Sequence, residues 1–212
     1  GEKVTFQIKQ GGSFDIFTTC IETIYGITFM VLAPEHELVN RLKDKIENWD
    51  EVDAYVQQAK RKSEFERSEL NKGKSGVCLK GITAINPVNG KEVPLFIGDF
   101  VLASYGTGAV MAVPSHDQRD FEYAIAHNID MIQVIEGRDV SQCAFEKQDY
   151  LGKGCKLINS EEFTGLTVEE AKEAITVKLE NKGVARRKVN YHFREWIFAR
   201  QRYWGEPVPC VY

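Results

Sequence analysis

Two short stretches carry residues that can do chemistry. TTCIET (Thr18–Thr23) sets three threonine hydroxyls, Thr18, Thr19 and Thr23, between two apolar runs. SHDQRDF (Ser115–Phe121) sets Asp117 and Asp120 at the start of a helical pattern. Each has a plain structural reading: threonine suits a pleated surface, and an aspartate at a helix start caps it. Each also has a functional one. Hydroxyls both donate and accept, so they can line a polar pocket. The helix dipole favours negative charge at its N-terminus, so a carboxylate there can anchor a cation. Met111 and Val113, just upstream, are apolar. Together these residues describe a pocket for a small amino acid. Asp120 grips its ammonium, Thr18, Thr19 and Thr23 form a hydroxyl wall, and Met111 and Val113 leave room for a modest apolar side chain.

Two other chemistries fit the same residues poorly. His116, Asp117 and Asp120 match no metal-ligand spacing, and no second His/Cys cluster supports them. No metal site is expected. Ser115 and His116 are chain neighbours without a nucleophile elbow, which argues against a Ser/His/Asp triad. The Gly106-Thr107-Gly108 turn lets backbone approach a ligand closely, but alone it is a weak phosphate signal.

The elements that must position these residues are mostly strands. VTFQI (Val4–Ile8) alternates, GGS turns, and FDIFT forms a second strand. ITFMVLA (Ile27–Ala33) reads as a strand buried on both faces. Leu38, Leu42 and Ile46 have helical spacing, and a second helix begins at a cap on Asp50. GVCLKGITAINP, EVPLFIGDFVLA and AVMAVP return to β, with Asn89-Gly90 as a hairpin turn. The helix SHDQRDFEYAIAHN places Phe121, Ala124 and Ile125 on one face, capped by a Ser115/Gln118 box or by Asp117. IQVI (Ile132–Ile135) reads as β. The last helix, from Thr167, opens with a Thr167/Glu170 capping box and stops at Gly183. These elements predict an α+β fold with an antiparallel, barrel-like sheet and surrounding helices.

The chain of 212 residues is long enough to bury a substantial core. Its net charge of -4 excludes a uniformly basic nucleic-acid binder, so any such contact is a local patch. Candidates are Lys60, Arg61 and Lys62, or Arg186, Arg187 and Lys188, each equally readable as a solvated face. Five scattered cysteines with no CxxC pair read as reduced thiols of a cytoplasmic protein. No apolar run is long enough to span a membrane, and no signal peptide opens the chain. The abrupt ends, GEKVTF and PCVY, suggest a piece of something larger.

The segments resemble the editing (connective polypeptide insertion) domain of leucyl-tRNA synthetase, of bacterial or organellar type. The family pattern TTRPDT corresponds to TTCIET here, and GTGAVMAVPxHDQRDFE to Gly106–Glu122. RQRYWGEPVP (Arg200–Pro209) resembles the return to the synthetase core. The isoleucyl and valyl enzymes share the threonine stretch and GTG turn but not AVMAVP with HDQRD. The resemblance implies an editing domain over residues 1–190 and a return segment over 191–212.

It also implies hydrolysis of the ester joining a wrong amino acid, norvaline or isoleucine, to the 3′-terminal adenosine of leucine tRNA. Apolar pockets discriminate a methylene by only about 10–200-fold, so a second, hydrolytic site must remove errors. In this reading Asp120 binds the α-ammonium and Thr23 excludes leucine's branched side chain. Thr18 and Thr19 bond the ester, the ribose or the attacking water. Met111 and Val113 shape the apolar pocket, Tyr105 lies near the adenosine, and Asp117 and Arg119 complete the substrate-binding set. Editing needs no cofactor, while ATP and magnesium serve the full-length ligase. The expected partners are the tRNA end and the rest of the synthetase, in a cytoplasmic monomer without membrane contact. HIGH and KMSKS are absent, so this stretch carries no ligase site. The pattern's Arg-Pro-Asp is replaced by Cys20-Ile21-Glu22, and cysteine supplies no five-donor cation. That leaves a second reading open: a degenerate, weakly active domain kept as a tRNA-docking module.

Overall fold

The computed structural model describes residues 1–62, 75–104 and 106–188. Tyr105, most of KRKSEFER and the segment 191–212 lie outside the described residues.

Alternation builds the first hairpin. Strands β1 (Glu2–Ile8) and β2 (Ser13–Thr18) pair antiparallel, with Phe6 opposite Phe14 and their rings stacked 5.9 Å apart. Val4, Phe6 and Ile8 point to one buried face, as period-2 spacing requires. The chain then enters a wholly buried 3₁₀ turn, Ile21–Gly26, before β3 (Phe29–Leu32). All four β3 residues are buried. Met30 and Leu32 join the main core, while Phe29 and Val31 join a second cluster on the other face.

Helices α1 (Glu37–Arg41) and α2 (Trp49–Lys60) follow. The helical spacing through Ile46 does not yield one long helix: α1 ends at Arg41, and a short 3₁₀ turn over Lys43–Lys45 follows. Asn48, not Asp50, occupies the cap position of α2, and Asp50 sits in its first turn. Strands β4 (Val77–Ile85) and β5 (Glu92–Ile97) form a hairpin around Asn89-Gly90, with Gly90 at φ 70°. Then come β6 (Ala109–Ala112), α3 (Gln118–His127), the single turn α4 (Lys147–Tyr150), α5 (Val168–Asn181) and β7 (Ala185–Arg187).

The seven strands form one sheet in the order β2-β1-β4-β5-β3-β6, with β7 added on β1. Every neighbouring pair is antiparallel except β3–β5, which is parallel. The two ends of the path, β2 and β6, lie against each other, so the sheet nearly closes into a barrel. The threonine turn leaves from β2 and the aspartate loop from β6. Barrel closure is therefore what brings the two candidate stretches together.

Helix α3 is fastened to the sheet by Tyr123, whose ring stacks on Phe29 at 5.0 Å and meets Phe96 edge-on at 5.7 Å. Phe121 and Ala124 are buried beside it, but Ile125 is 59% exposed and belongs to the outer face. The expected strand over Ile132–Ile135 is absent, leaving only an isolated bridge between Ile135 and Leu157. Val134 O accepts from Ile158 N at 2.9 Å, but the N–H groups of Val134 and Ile135 go to a side chain described below. In α5 the capping box is present: Thr167 Oγ1 accepts from Glu170 N, and the Glu170 carboxylate accepts from Thr167 N at 3.0 Å.

The cap of α3 is Asp117. Its Oδ1 accepts from Arg119 N at 2.8 Å and Asp120 N at 3.2 Å. Ser115, the other candidate, is buried with its hydroxyl unbonded. Asp117→Ala should lower the unfolding free energy by about 1 kcal/mol in denaturant titrations, and Ser115→Ala by well under half of that.

Candidate functional site

The threonine turn is closed by its own hydroxyls. Cys20 N donates to Thr18 Oγ1 at 3.0 Å, and Thr23 Oγ1 donates to the Cys20 carbonyl at 2.8 Å. Thr18 as acceptor keeps its O–H to donate elsewhere, and Thr23 as donor keeps its lone pairs. Both side chains are almost fully buried yet line a cleft of about 680 Å³. That volume lies within the usual range for small-ligand sites. Thr19 is exposed and does not line the cleft; its hydroxyl lies 3.7 Å from Cys20 Sγ.

Beneath the turn, Glu22 is fully buried. Its Oε1 accepts from the Tyr150 hydroxyl at 3.1 Å, and its Oε2 has no partner. Burial raises the pKa of Glu22 and also that of Tyr150, beside which Glu22 adds its charge. Gly26 ends the turn where a Cβ would meet Ile132 O and Val113 Cγ1 at 3.0 Å each. A side chain there would force these neighbours apart by a few tenths of an ångström, so glycine suits a turn this close to the end of β6.

The opposite contribution comes from β6 and α3. Val110, Met111 and Val113 line the cleft with Asp117, Arg119 and Asp120. Asp120 Oδ2 accepts from Val113 N at 2.8 Å, which fixes the carboxylate relative to the strand end. The loop between them is held by His116. Its Nε2 accepts from Val134 N at 3.0 Å and Ile135 N at 3.3 Å, so Nδ1 carries the proton and donates to Phe145 O at 3.0 Å. Burial pushes the His116 pKa down to about 4. With both nitrogens committed to backbone, this imidazole serves neither as a metal ligand nor as a base for Ser115.

The structure thus brings together Thr18, Thr23, Met111, Val113, Asp117, Arg119 and Asp120. Of the glycine turn, Gly106 and Gly108 adopt φ of 71° and 67° but do not line the cleft. Sequence reasoning missed Phe17, Tyr150 and the Phe100–Leu102 stretch as lining residues. None carries a motif, and Tyr150 reaches the cleft only through tertiary packing. The basic clusters are partly engaged: Lys62 pairs with buried Asp99 at 2.7 Å, and Arg187 pairs with Glu173 at 2.5 Å. The four described cysteines are free and half-buried. No described helix is long and apolar enough to cross a membrane.

Comparison with known proteins decides the family. Residues 1–180 match the family model described as "Leucyl-tRNA synthetase, editing domain". The chain belongs to this family. It is 46% identical over 212 residues to a leucine–tRNA ligase of Alkaliphilus oremlandii and 48% identical over 213 residues to one of Clostridium tetani. All of the chain is covered, but only 26% and 25% of those ligases, so it spans about a quarter of their length. Among solved structures it resembles the ternary LeuRS–tRNA–LeuAMS complex of Agrobacterium radiobacter K84. The TM-score is 0.67 at 27% identity, over 92% of this chain and 20% of that one. The barrel-like sheet is therefore shared with a synthetase seen bound to tRNA.

The committed imidazole makes a pH prediction. A histidine held neutral binds fewer protons folded than unfolded between about pH 4 and 6.5. Stability is therefore full above that window and falls as pH drops through it. Between pH 7 and pH 5, His116 should cost the fold about 2 kcal/mol. Denaturant titrations at both pH values should show that slope in the native protein and lack this part of it in His116→Gln.

Proposed function

We propose that this editing domain hydrolyses the aminoacyl ester of mischarged leucine tRNA, removing norvaline or isoleucine while sparing leucine. The observation that carries the reading is the Asp120 carboxylate, held by Val113 N–H in a cleft it shares with Thr18 and Thr23. An α-ammonium paired with Asp120 places the side chain against Met111 and Val113. Thr23, locked by its bond to Cys20 O, then limits the width available to a branched side chain. The Thr18 O–H is placed to donate to the ester oxygen or the ribose as negative charge develops there. Water adds to the ester carbonyl and the ribose oxygen leaves with a proton. His116 is excluded as the base because its lone pair is taken, so positioning and electrostatic stabilisation carry the rate.

No cofactor enters this step. ATP and magnesium belong to the ligase reaction of the full-length enzyme, toward whose core residues 191–212 lead. Tyr105, which lies outside the described residues, is assigned to the adenosine by the family resemblance alone. The partners are the tRNA end and the rest of the synthetase, in a cytoplasmic monomer. The second reading, a weakly active docking module, draws on Cys20 lining the cleft where the family pattern has arginine. A large rise in deacylation by Cys20→Arg would favour it.

The test is deacylation of norvalyl-, isoleucyl- and leucyl-tRNA side by side. Asp120→Ala should slow cleavage of the wrong esters about a hundredfold, the loss of one charge-assisted contact of about 2–3 kcal/mol. Full retained activity would remove Asp120 from the mechanism. Thr23→Ala should expose leucyl-tRNA to cleavage, and intact leucyl-tRNA alongside cleaved norvalyl-tRNA would show that Thr23 is not the size gate.

A further inference from the structure

Two lysines from different helices converge on one atom at the rim of the cleft. Lys147 Nζ, from α4, donates to the Thr19 carbonyl at 3.2 Å, and Lys172 Nζ, from α5, donates to the same oxygen at 2.8 Å. The two ammonium groups are therefore close neighbours, and like charges this near repel. Among the described residues neither makes a salt bridge. Both act electrostatically on Glu22, but that carboxyl is fully buried, accepts from the Tyr150 hydroxyl and forms a salt bridge with neither lysine; burial raises its pKa. A single carbonyl dipole is a poor counterpart for two cations. Position 20, next along the turn, adds no charge of its own.

We propose that Lys147 and Lys172 form the subsite for the phosphodiester on the 5′ side of the terminal adenosine. This deepens the editing reading and rests on it. The ligand it calls for has a cationic end, the α-ammonium, and an anionic end, the phosphodiester. The cleft offers a carboxylate on α3, and the turn bordering it offers two unpaired cations. Lysine acts here as a point charge rather than a fork, which suits a phosphate oxygen approached from solvent. The anion takes the place opposite the pair that no carboxylate of the described residues fills, and the Thr19 carbonyl holds both ammonium groups until it arrives.

The experiment compares two esters with and without the phosphate: norvalyl-adenosine and norvalyl-adenosine 5′-monophosphate. Each is offered to the native protein, Lys147→Met, Lys172→Met and the double variant. The native protein should favour the phosphorylated ester through KM. Each substitution should reduce that preference by about threefold, the scale of an exposed ion pair, and leave kcat/KM on the phosphate-free ester unchanged. The preference should also shrink with added salt. Equal losses on both esters would reduce the lysines to props of the Thr19 carbonyl and overturn the subsite; so would no loss at all. If the native protein cleaves neither ester, the editing reading fails instead. The subsite is then judged by binding alone, and equal affinity of the native protein for adenosine and adenosine 5′-monophosphate would overturn it.

Discussion

His116 bonds three backbone groups at once, and the arrangement of the cleft follows from that. Its ring ties the loop after β6 to Val134, Ile135 and Phe145, segments with no regular structure of their own. The loop in turn carries the Asp117 cap that starts α3 and sets the backbone of Asp120. A neutral imidazole can do this because one nitrogen donates while the other accepts, and burial keeps it neutral. Tyr123 completes the clamp from the middle of α3 by stacking on Phe29 of β3. Asp120 is thus fixed by a strand end, a cap and an aromatic anchor. Such pre-organisation costs nothing at the moment a ligand arrives.

The facing turn is built on a different economy. Its hydroxyls first satisfy the backbone of a tight 3₁₀ turn and only then present their remaining valences to the cleft. Thr18 accepts within the turn and can donate outward, and Thr23 does the reverse. The strand-filler and pocket-wall readings of these threonines are therefore not alternatives. The bond that Thr23 Oγ1 donates to the part-buried Cys20 carbonyl, beside that from Thr23 N, also locks the rotamer of Thr23.

Local features were legible in the sequence and long-range ones were not. Period-2 alternation gave β1, the unbroken apolar run gave β3, and the capping box gave the start of α5. The aspartates of HDQRD were readable because a cap needs only its own helix. The region from Asn128 to Leu166 was opaque. It is held by bonds such as His116 to Val134 and Asn159 Nδ2 to Gln133 O, which leave no periodicity behind. The apolar run at Ile132–Ile135 reads as a strand, yet its backbone donors go to an imidazole instead of a neighbouring strand. Tyr150, Lys147 and Lys172 gained their places by the same tertiary route. The parallel β3–β5 pair was hidden too, since it depends on a long excursion through α1, α2 and β4.

The replacement of Arg-Pro-Asp by Cys20-Ile21-Glu22 can be weighed in these terms. In the bonds that close the turn, Cys20 contributes its N–H and its carbonyl. Those atoms are common to every residue type except proline, so the turn survives a change of side chain there. Ile21 is fully buried and exchanges a backbone restraint for apolar packing, worth roughly 1.5–3 kcal/mol for a side chain of this class. Glu22 reaches Tyr150 and anchors the turn from below, at the cost of one unbonded carboxyl oxygen. The geometry of Thr18 and Thr23 is thus independent of the lost arginine. What the turn lacks is a positive charge of its own, and the neighbouring cations at its surface come from α4 and α5. Shape and charge at this cleft are supplied by different parts of the fold, so a change at position 20 can alter one and leave the other in place.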